Sequence, residues 1–221
     1  MSTALIIGAS RGIGLALARQ YAAAGDRVIA TARSDEGLGT LRELGAQALR
    51  VDVADPASIS GLAWQLDGEQ IDIALYLAGI TSHGNATQPP TQPDFDAVMH
   101  ANVLGAMQAI PQVAPLLAAG GRFGFVSSDM GRIATVSGSQ AWVYRVSKAA
   151  LNMAVASAQS AYPDAIMVCL HPGWVQTGMG GASAPVTTEA SAAGLRQVMA
   201  ALTPADRGTF IQYDGQRLST W

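Results

Sequence analysis

The chain contains one cysteine, three histidines and few charges: only 13% of its 221 residues are charged and 6% are aromatic. A lone cysteine excludes an internal disulfide. Its place between Val168 and Leu170 reads as a small buried strand residue. His83, His100 and His171 are widely separated and have no cysteine partner, so the expectation is no metal centre. A formal net charge of -3 with scattered basic residues lacks the footprint of a nucleic-acid binder and the polybasic patch of a membrane-surface protein. No apolar run approaches the roughly 18 residues that span a membrane. The first apolar run, Ala4 to Ile7, stops at Gly8 with no basic segment before it, unlike a secretory signal. The default expectation is a cytoplasmic protein with no nucleic-acid or membrane partner.

What the chain does have is apolar mass: 49% hydrophobic residues and 24 glycines. That length and composition suit one domain spanning residues 1–221. Short apolar runs at Thr3–Ile7, Arg27–Thr31, Ala48–Val51, Ile71–Leu77, Arg122–Val126, Ala165–Leu170 and Gly208–Gln212 predict about seven strands. Between them the apolar residues recur at helical spacing, as at Ile13, Leu17, Tyr21 and Ala24. Helices are expected over Asp35–Leu44 (with Gly37 and Gly39 as flaws), after the Asp55-Pro56 cap, over Asp94–Leu117, Trp142–Ala161 and Glu189–Leu202. Pro111 and Pro115 should kink or shorten the long one. Alternating strands and helices give an α/β fold: a doubly wound, Rossmann-type parallel sheet with helices on both faces. Ligands of such sheets bind beyond the carboxyl ends of the strands.

The informative motifs fall at those ends. Gly8-Ala9-Ser10-Arg11-Gly12-Ile13-Gly14 joins the first strand to the first helix. Glycines there allow a tight turn, close approach of backbone N–H groups to a pyrophosphate, and close helix–sheet packing, with the helix N-terminus facing the anion. The spacing is GxxxGxG. Tyr144 and Lys148 lie four apart on one helix, which places them on one face. A nearby ammonium lowers a phenol's pKa from about 10 and fits it for acid/base work. Ser127 and Ser128 end the fifth strand just before that helix. Asn102 lies on the long preceding helix, where its amide could satisfy backbone groups or mark a helix irregularity.

Taken in order, these residues resemble the short-chain dehydrogenase/reductase family: the glycine loop, Asp52-Val53, Ala78-Gly79, Asn102, Ser127-Ser128, Tyr144 to Lys148, then Pro172-Gly173 with Thr177. The run from Tyr144 to Asn152, the run His171 to Gly181 and the tail from Gly208 to Trp221 look most like the C-factor and Sniffer-like carbonyl reductase group. The resemblance implies roles. Ser128, three residues before Gly131, matches the catalytic serine and Tyr144 the acid/base. Lys148 would hold the nicotinamide ribose and tune Tyr144, and Asn102 would anchor a water in a proton relay. Asp52 would bond the adenine amino group with Val53 beside the ring. Thr177, following Pro172, Gly173 and Val175, would contact the nicotinamide amide. One departure stands out: the family's Asn-Asn-Ala-Gly after the fourth strand is here Tyr76-Leu77-Ala78-Gly79. The segment from Ser128 to Tyr144 is also slightly long for the family.

The implied function is hydride transfer between a nicotinamide cofactor and a carbonyl or alcohol. NAD-specific relatives carry an acid at the end of the second strand, where this chain has Ala32 followed by Arg33. Arg33, with Arg11 from the glycine loop, suits the 2′-phosphate of NADP, so NADP(H) is expected over NAD(H). Asp35 and Glu36 should begin the next helix. The alternatives are a cofactor-binding signalling protein of the C-factor type with incidental catalysis, and a fold-sharing epimerase or dehydratase. The Tyr144 helix carries Ala149, Ala150, Ala154, Ala156, Ala158 and Ala161, which allow close approach of backbones, and the resemblance implies that it pairs across a two-fold axis in a homodimer or homotetramer. Trp142 and Trp174 flank the site as packing or substrate-contact residues. Trp221 is a candidate to dock back on the sheet.

Overall fold

The computed structural model describes residues 1–221. Its strands are β1 Thr3–Ile7, β2 Arg27–Ala32, β3 Gln47–Arg50, β4 Ile71–Tyr76, β5 Leu117–Val126, β6 Ile166–His171, β7 Phe210–Gln212 and β8 Arg217–Leu218. They form one sheet in the order β3-β2-β1-β4-β5-β6-β7-β8. The first seven run parallel and β8 pairs antiparallel with β7. The near-continuous apolar runs of β1, β4 and β6 are those of strands covered on both faces.

The helices are α1 Gly12–Ala23, α2 Asp35–Glu43, α3 Pro56–Ser60, α4 Leu62–Gln65, α5 Gln92–Met99, α6 Gly105–Val113, α7 Trp142–Gln159 and α8 Thr188–Ala201. Leu17 and Tyr21 of α1, Leu41 of α2 and Leu195 of α8 pack on one face of the sheet. Ile59 of α3, Leu62 of α4, Ile110 of α6 and Leu151 of α7 cover the other. No helix is long and apolar enough to cross a membrane.

Local chemistry explains most boundaries. Asp55 accepts the Ala57 N–H at 3.0 Å and opens α3, with Pro56 in its first turn. Ser34 caps α2 by accepting the Gly37 N–H at 3.2 Å. Gly37, expected to be a flaw, is a close approach: a Cβ there would lie 2.8 Å from Ser10 Cβ and 2.9 Å from Ala32 Cβ. The start of α2 is thereby pressed onto the glycine loop.

The helix expected over Asp94–Leu117 is four pieces: α5, a π-helical turn His100–Leu104, α6, and a 3-10 turn Ala114–Leu116. Pro111 sits inside α6 and the helix ends instead at the turn holding Pro115. The chain then enters β5 at Leu117, five residues before the expected start at Arg122. The register against β4 jumps from Ile71↔Leu117 to Ile73↔Arg122, and Gly120 with φ +74° absorbs the extra chain. The eighth strand, β8, is two residues long, too short to show a periodic pattern.

The strand order reverses at β1, with β2 and β3 on one side and β4 onward on the other. A crevice therefore opens beyond the carboxyl ends of β1 and β4.

Candidate active site

The glycine loop leaves β1 under tight steric control. Gly8 has φ +90°, and a Cβ on it would lie 2.7 Å from the Ala78 nitrogen. A Cβ on Gly14 would lie 2.3 Å from the Gly8 carbonyl oxygen, so any side chain there forces α1 off the loop. The Gly8 N–H donates to Thr31 Oγ1 at 3.0 Å and the Ala9 N–H to the Thr31 carbonyl at 2.9 Å. Thr31, buried at the end of β2, is thus a support that the sequence pattern did not single out. The Arg11 side chain makes no cap hydrogen bond and the first turn of α1, which includes Ile13, has no acid. The unpaired N–H groups of that turn are left to face an anion.

Around this loop stand the other cofactor candidates. Arg11 and Arg33 are exposed. Asp35 is the first residue of α2 and is ion-paired with Arg50, whose Nη1 also donates to the Arg33 carbonyl at 2.8 Å. Asp52 Oδ1 accepts the Ala54 N–H at 3.0 Å, and the Asp52 N–H donates to Ser58 Oγ at 2.9 Å. That turn sets Asp52 and Val53 just past β3. The Leu77 N–H donates to the Ile7 carbonyl at 2.8 Å, which brings Ala78 and Gly79 beside the glycine loop. After β6 come Pro172, whose carbonyl accepts the Ser191 hydroxyl at 2.7 Å, and Gly173 with φ +84°. Val175 is buried and bridges Val186. Thr177 Oγ1 accepts the Gly180 N–H at 3.0 Å, and its methyl lies 3.4 Å from where a Gly12 Cβ would stand. The segment 172–177 therefore closes against the glycine loop.

Asn102 from the π-helical turn, Ser128 after β5, and Tyr144 with Lys148 on α7 gather at the same strand ends. Asn102 is fully buried in the π-helical turn. Its Nδ2 donates to the Ile80 carbonyl at 2.8 Å and to Ser147 Oγ at 2.9 Å, and its Oδ1 accepts the Ile80 N–H at 2.7 Å. Both amide protons are taken by protein. A water held by the side chain must therefore use the remaining acceptor capacity of Oδ1. A Cβ on Gly79 would lie 3.0 Å from Asn102 Oδ1 and 3.6 Å from Lys148 Nζ, which places the three side by side.

Tyr144 is 8% exposed and Lys148 4% exposed, one turn apart on α7. The Ser82 hydroxyl accepts the Tyr144 N–H at 3.1 Å and helps to cap the helix start. Lys148 Nζ donates to the Val126 carbonyl at 2.9 Å and lies 5.6 Å from the centroid of the Tyr144 ring. Burial pushes the ammonium down to about 8, against a small opposing effect of Cys169. Burial raises the Tyr144 phenol above its ordinary value, and a hydrogen bond with Ser128 acts in the opposite direction. The lowering of the phenol by a nearby ammonium is outweighed in the cofactor-free chain, where desolvation dominates.

The two serines separate cleanly. Ser127 is buried and donates to Asn152 Oδ1 at 2.6 Å, a structural bond to α7. Ser128 is half-buried, its Oγ accepts the Met130 N–H at 3.1 Å, and it is near enough to Tyr144 to offset part of the effect of burial on the phenol. Tyr76, at the departure from the family pattern, is fully buried and donates its hydroxyl to the Ala101 carbonyl at 3.0 Å. It braces the π-helical turn that carries Asn102. No group of His, Cys, Asp or Glu has the geometry of a metal site.

Residues 2–186 match the family model described as short chain dehydrogenase. The chain is 36% identical over 149 residues to the C-signal protein of Myxococcus xanthus, covering 66% of this chain and 90% of that one. It is 32% identical over 230 residues to 1-hydroxy-2-glutathionyl-2-methyl-3-butene dehydrogenase of Rhodococcus sp. (strain AD45), covering 97% and 98%. The solved structure of NADPH-bound carbonyl reductase from chicken fatty liver is similar with a TM-score of 0.91 and 29% identity, covering 100% of this chain and 99% of that one.

Proposed function

The chain belongs to the short-chain dehydrogenase family of oxidoreductases, and from that premise we propose that it is an NADP(H)-dependent enzyme interconverting a carbonyl and an alcohol, with Tyr144 as the acid/base. The observation that carries this reading is the convergence of Ser128, Tyr144, Lys148 and Asn102 beside a glycine loop built to face an anion. The residues fit a dinucleotide. The uncapped N-terminus of α1 suits the pyrophosphate, and a buried ammonium with one carbonyl partner keeps donors free for ribose hydroxyls. When bound, the nicotinamide carries the hydride.

The side chains divide the remaining work. The Ser128 hydroxyl orients the substrate oxygen and Tyr144 delivers or removes its proton. Lys148 lowers the cost of the phenolate left when Tyr144 gives its proton to the substrate oxygen. Asn102 ties the Ile80 segment to α7 and fixes both relative to Lys148. Gly8, Ser10, Arg11, Gly12, Ile13, Gly14, Asp52, Val53, Ala78 and Gly79 line the adenosine and pyrophosphate side, and Pro172, Gly173, Val175 and Thr177 the nicotinamide side. NADP(H) is preferred because Ala32 stands where an acid would repel the 2′-phosphate and Arg33 with Arg11 stands exposed beside it.

One second reading has a specific observation behind it. Likeness to a protein called C-signal favours a cofactor-binding signalling protein whose turnover is incidental. A panel of aldehydes and ketones, with NADPH oxidation followed at 340 nm, separates the two. Turnover lost with Tyr144→Phe supports the enzyme. No turnover of any carbonyl alongside tight NADPH binding contradicts it.

A further inference from the structure

We propose that His171 is a positioning residue for Ser128: its ring Nδ1, as a neutral acceptor, holds the turn that presents the serine hydroxyl. The proposal rests on the oxidoreductase reading above.

Ser128 leads directly into a 3-10 turn, Asp129–Gly131, of only three residues. So short a turn does not hold itself and depends on its anchors. From inside, Ser128 Oγ accepts the Met130 N–H at 3.1 Å. From below, the turn lies flush on α7, where a Cβ on Gly131 would come within 2.8 Å of Lys148 Cβ. From outside, Arg132 donates to Asp129 Oδ1 at 2.8 Å, to the Thr220 carbonyl at 3.0 Å and to Thr220 Oγ1 at 2.7 Å. The remaining anchor is His171, which accepts the Asp129 N–H on Nδ1 at 3.2 Å. That bond grips the residue next to the serine.

His171 is well placed for this. It is the last residue of β6, one strand over from the end of β5, and its own carbonyl accepts the Tyr213 N–H at 2.8 Å. Pro172 follows at once, so one residue fixes both the serine turn and the root of the segment reaching Thr177. Acceptance on Nδ1 places the ring proton on Nε2. A second proton would set two donors face to face and remove the bond. The groups facing the ring are Asp129 and Arg132 of the serine turn and Asp214 of the β7–β8 turn. Burial, aided by Arg132, depresses the imidazole below its ordinary value while the two carboxylates oppose this. The acceptor form therefore persists at neutral pH and is lost on the acid side.

Two substitutions isolate the acceptor from the volume. Asn can offer Oδ1 where Nδ1 stood and does not titrate. Leu fills space and accepts nothing. The test measures kcat and KM from pH 4.5 to 9 with 4-nitrobenzaldehyde or, if faster, the best carbonyl of the panel. The unmodified enzyme should lose kcat on the acid side of the ordinary imidazole range. His171→Leu should lose about tenfold in kcat at pH 7.5, with KM for NADPH changed less than about threefold. His171→Asn should restore most of that kcat and flatten the acid limb. In 15N–1H spectra of the cofactor-free protein, the Asp129 amide should shift with acid in the unmodified chain and stay fixed in His171→Asn. An unchanged acid limb in His171→Asn, full kcat in His171→Leu, or an Asp129 amide indifferent to pH overturns the proposal. Normal turnover by Tyr144→Phe would instead overturn the underlying function and leave the amide measurement to judge His171 by itself.

Discussion

Replacing Lys148 by methionine should stabilise the cofactor-free protein while disabling it. The ammonium is 4% exposed with the Val126 carbonyl as its hydrogen-bond acceptor. Burial brings it from 10.5 down to about 8. Each tenfold loss of proton affinity corresponds to about 1.4 kcal/mol, so holding that charge in the fold costs on the order of 3 kcal/mol. The sign follows from linkage. Between pH 8 and 10.5 the unfolded chain binds the extra proton, so stability of the unmodified protein rises with pH across that window. Below pH 8 both states are protonated and the full cost is present. Methionine matches the length and removes the charge, but it deprives Val126 of its donor at about 1 kcal/mol. The net gain at pH 7 is about 2 kcal/mol, or about 5 °C in Tm for a chain of this size. Melting curves at pH 7, 8.5 and 10 should show this advantage shrinking as pH rises. NADPH should raise the Tm of the unmodified protein more than that of the variant. A variant that melts lower at pH 7, or whose advantage is the same at pH 10, refutes the reasoning.

Arg33→Ala should erode the preference for NADPH through its KM and leave NADH kinetics nearly unchanged. The unmodified enzyme should favour NADPH by at least about tenfold in kcat/KM, or about 1.4 kcal/mol, and equal use of both cofactors would sink that assignment. Ala141 holds φ +54° at the start of α7. Ala141→Gly relieves that left-handed strain and should add about 1 kcal/mol, or about 3 °C in Tm; an unchanged or lower Tm contradicts it. The exposed apolar groove between α6 and α7, lined by Met107, Ile110, Ala150 and Met153, should pack against a second copy about a two-fold axis. Light scattering at micromolar concentration should then give a dimer or tetramer, and Met153→Asp should shift it toward monomer; a monomeric unmodified protein contradicts this.

The parallel core was legible because strands buried on both faces leave continuous apolar runs. β1, β4 and β6 differ from the expected spans by a residue at most at either end. The sheet edge was not legible, since β8 offers two residues and no alternation. The long helix misled because residues 94–117 keep an apolar helical pattern through the π-helical turn. That turn depends on a tertiary contact, the Tyr76 hydroxyl on the Ala101 carbonyl, and no local spacing reports it. At the site, ordered motifs singled out Tyr144, Lys148 and Ser128, which the fold brings to the same strand ends. Ser127 and Ser128 could be ranked only by the family's spacing to Gly131, and the structure separates them through Asn152. Thr31 escaped notice as a support because it works through backbone N–H groups of the glycine loop, which leaves no trace in residue type.

The most direct test of the account is steady-state and binding analysis of Tyr144→Phe. The variant keeps the ring and removes the proton. Its kcat for NADPH-dependent carbonyl reduction should fall by about 100-fold or more, while NADPH Kd from fluorescence titration stays within about threefold. Turnover near that of the unmodified enzyme would contradict the assignment of Tyr144 as the acid/base.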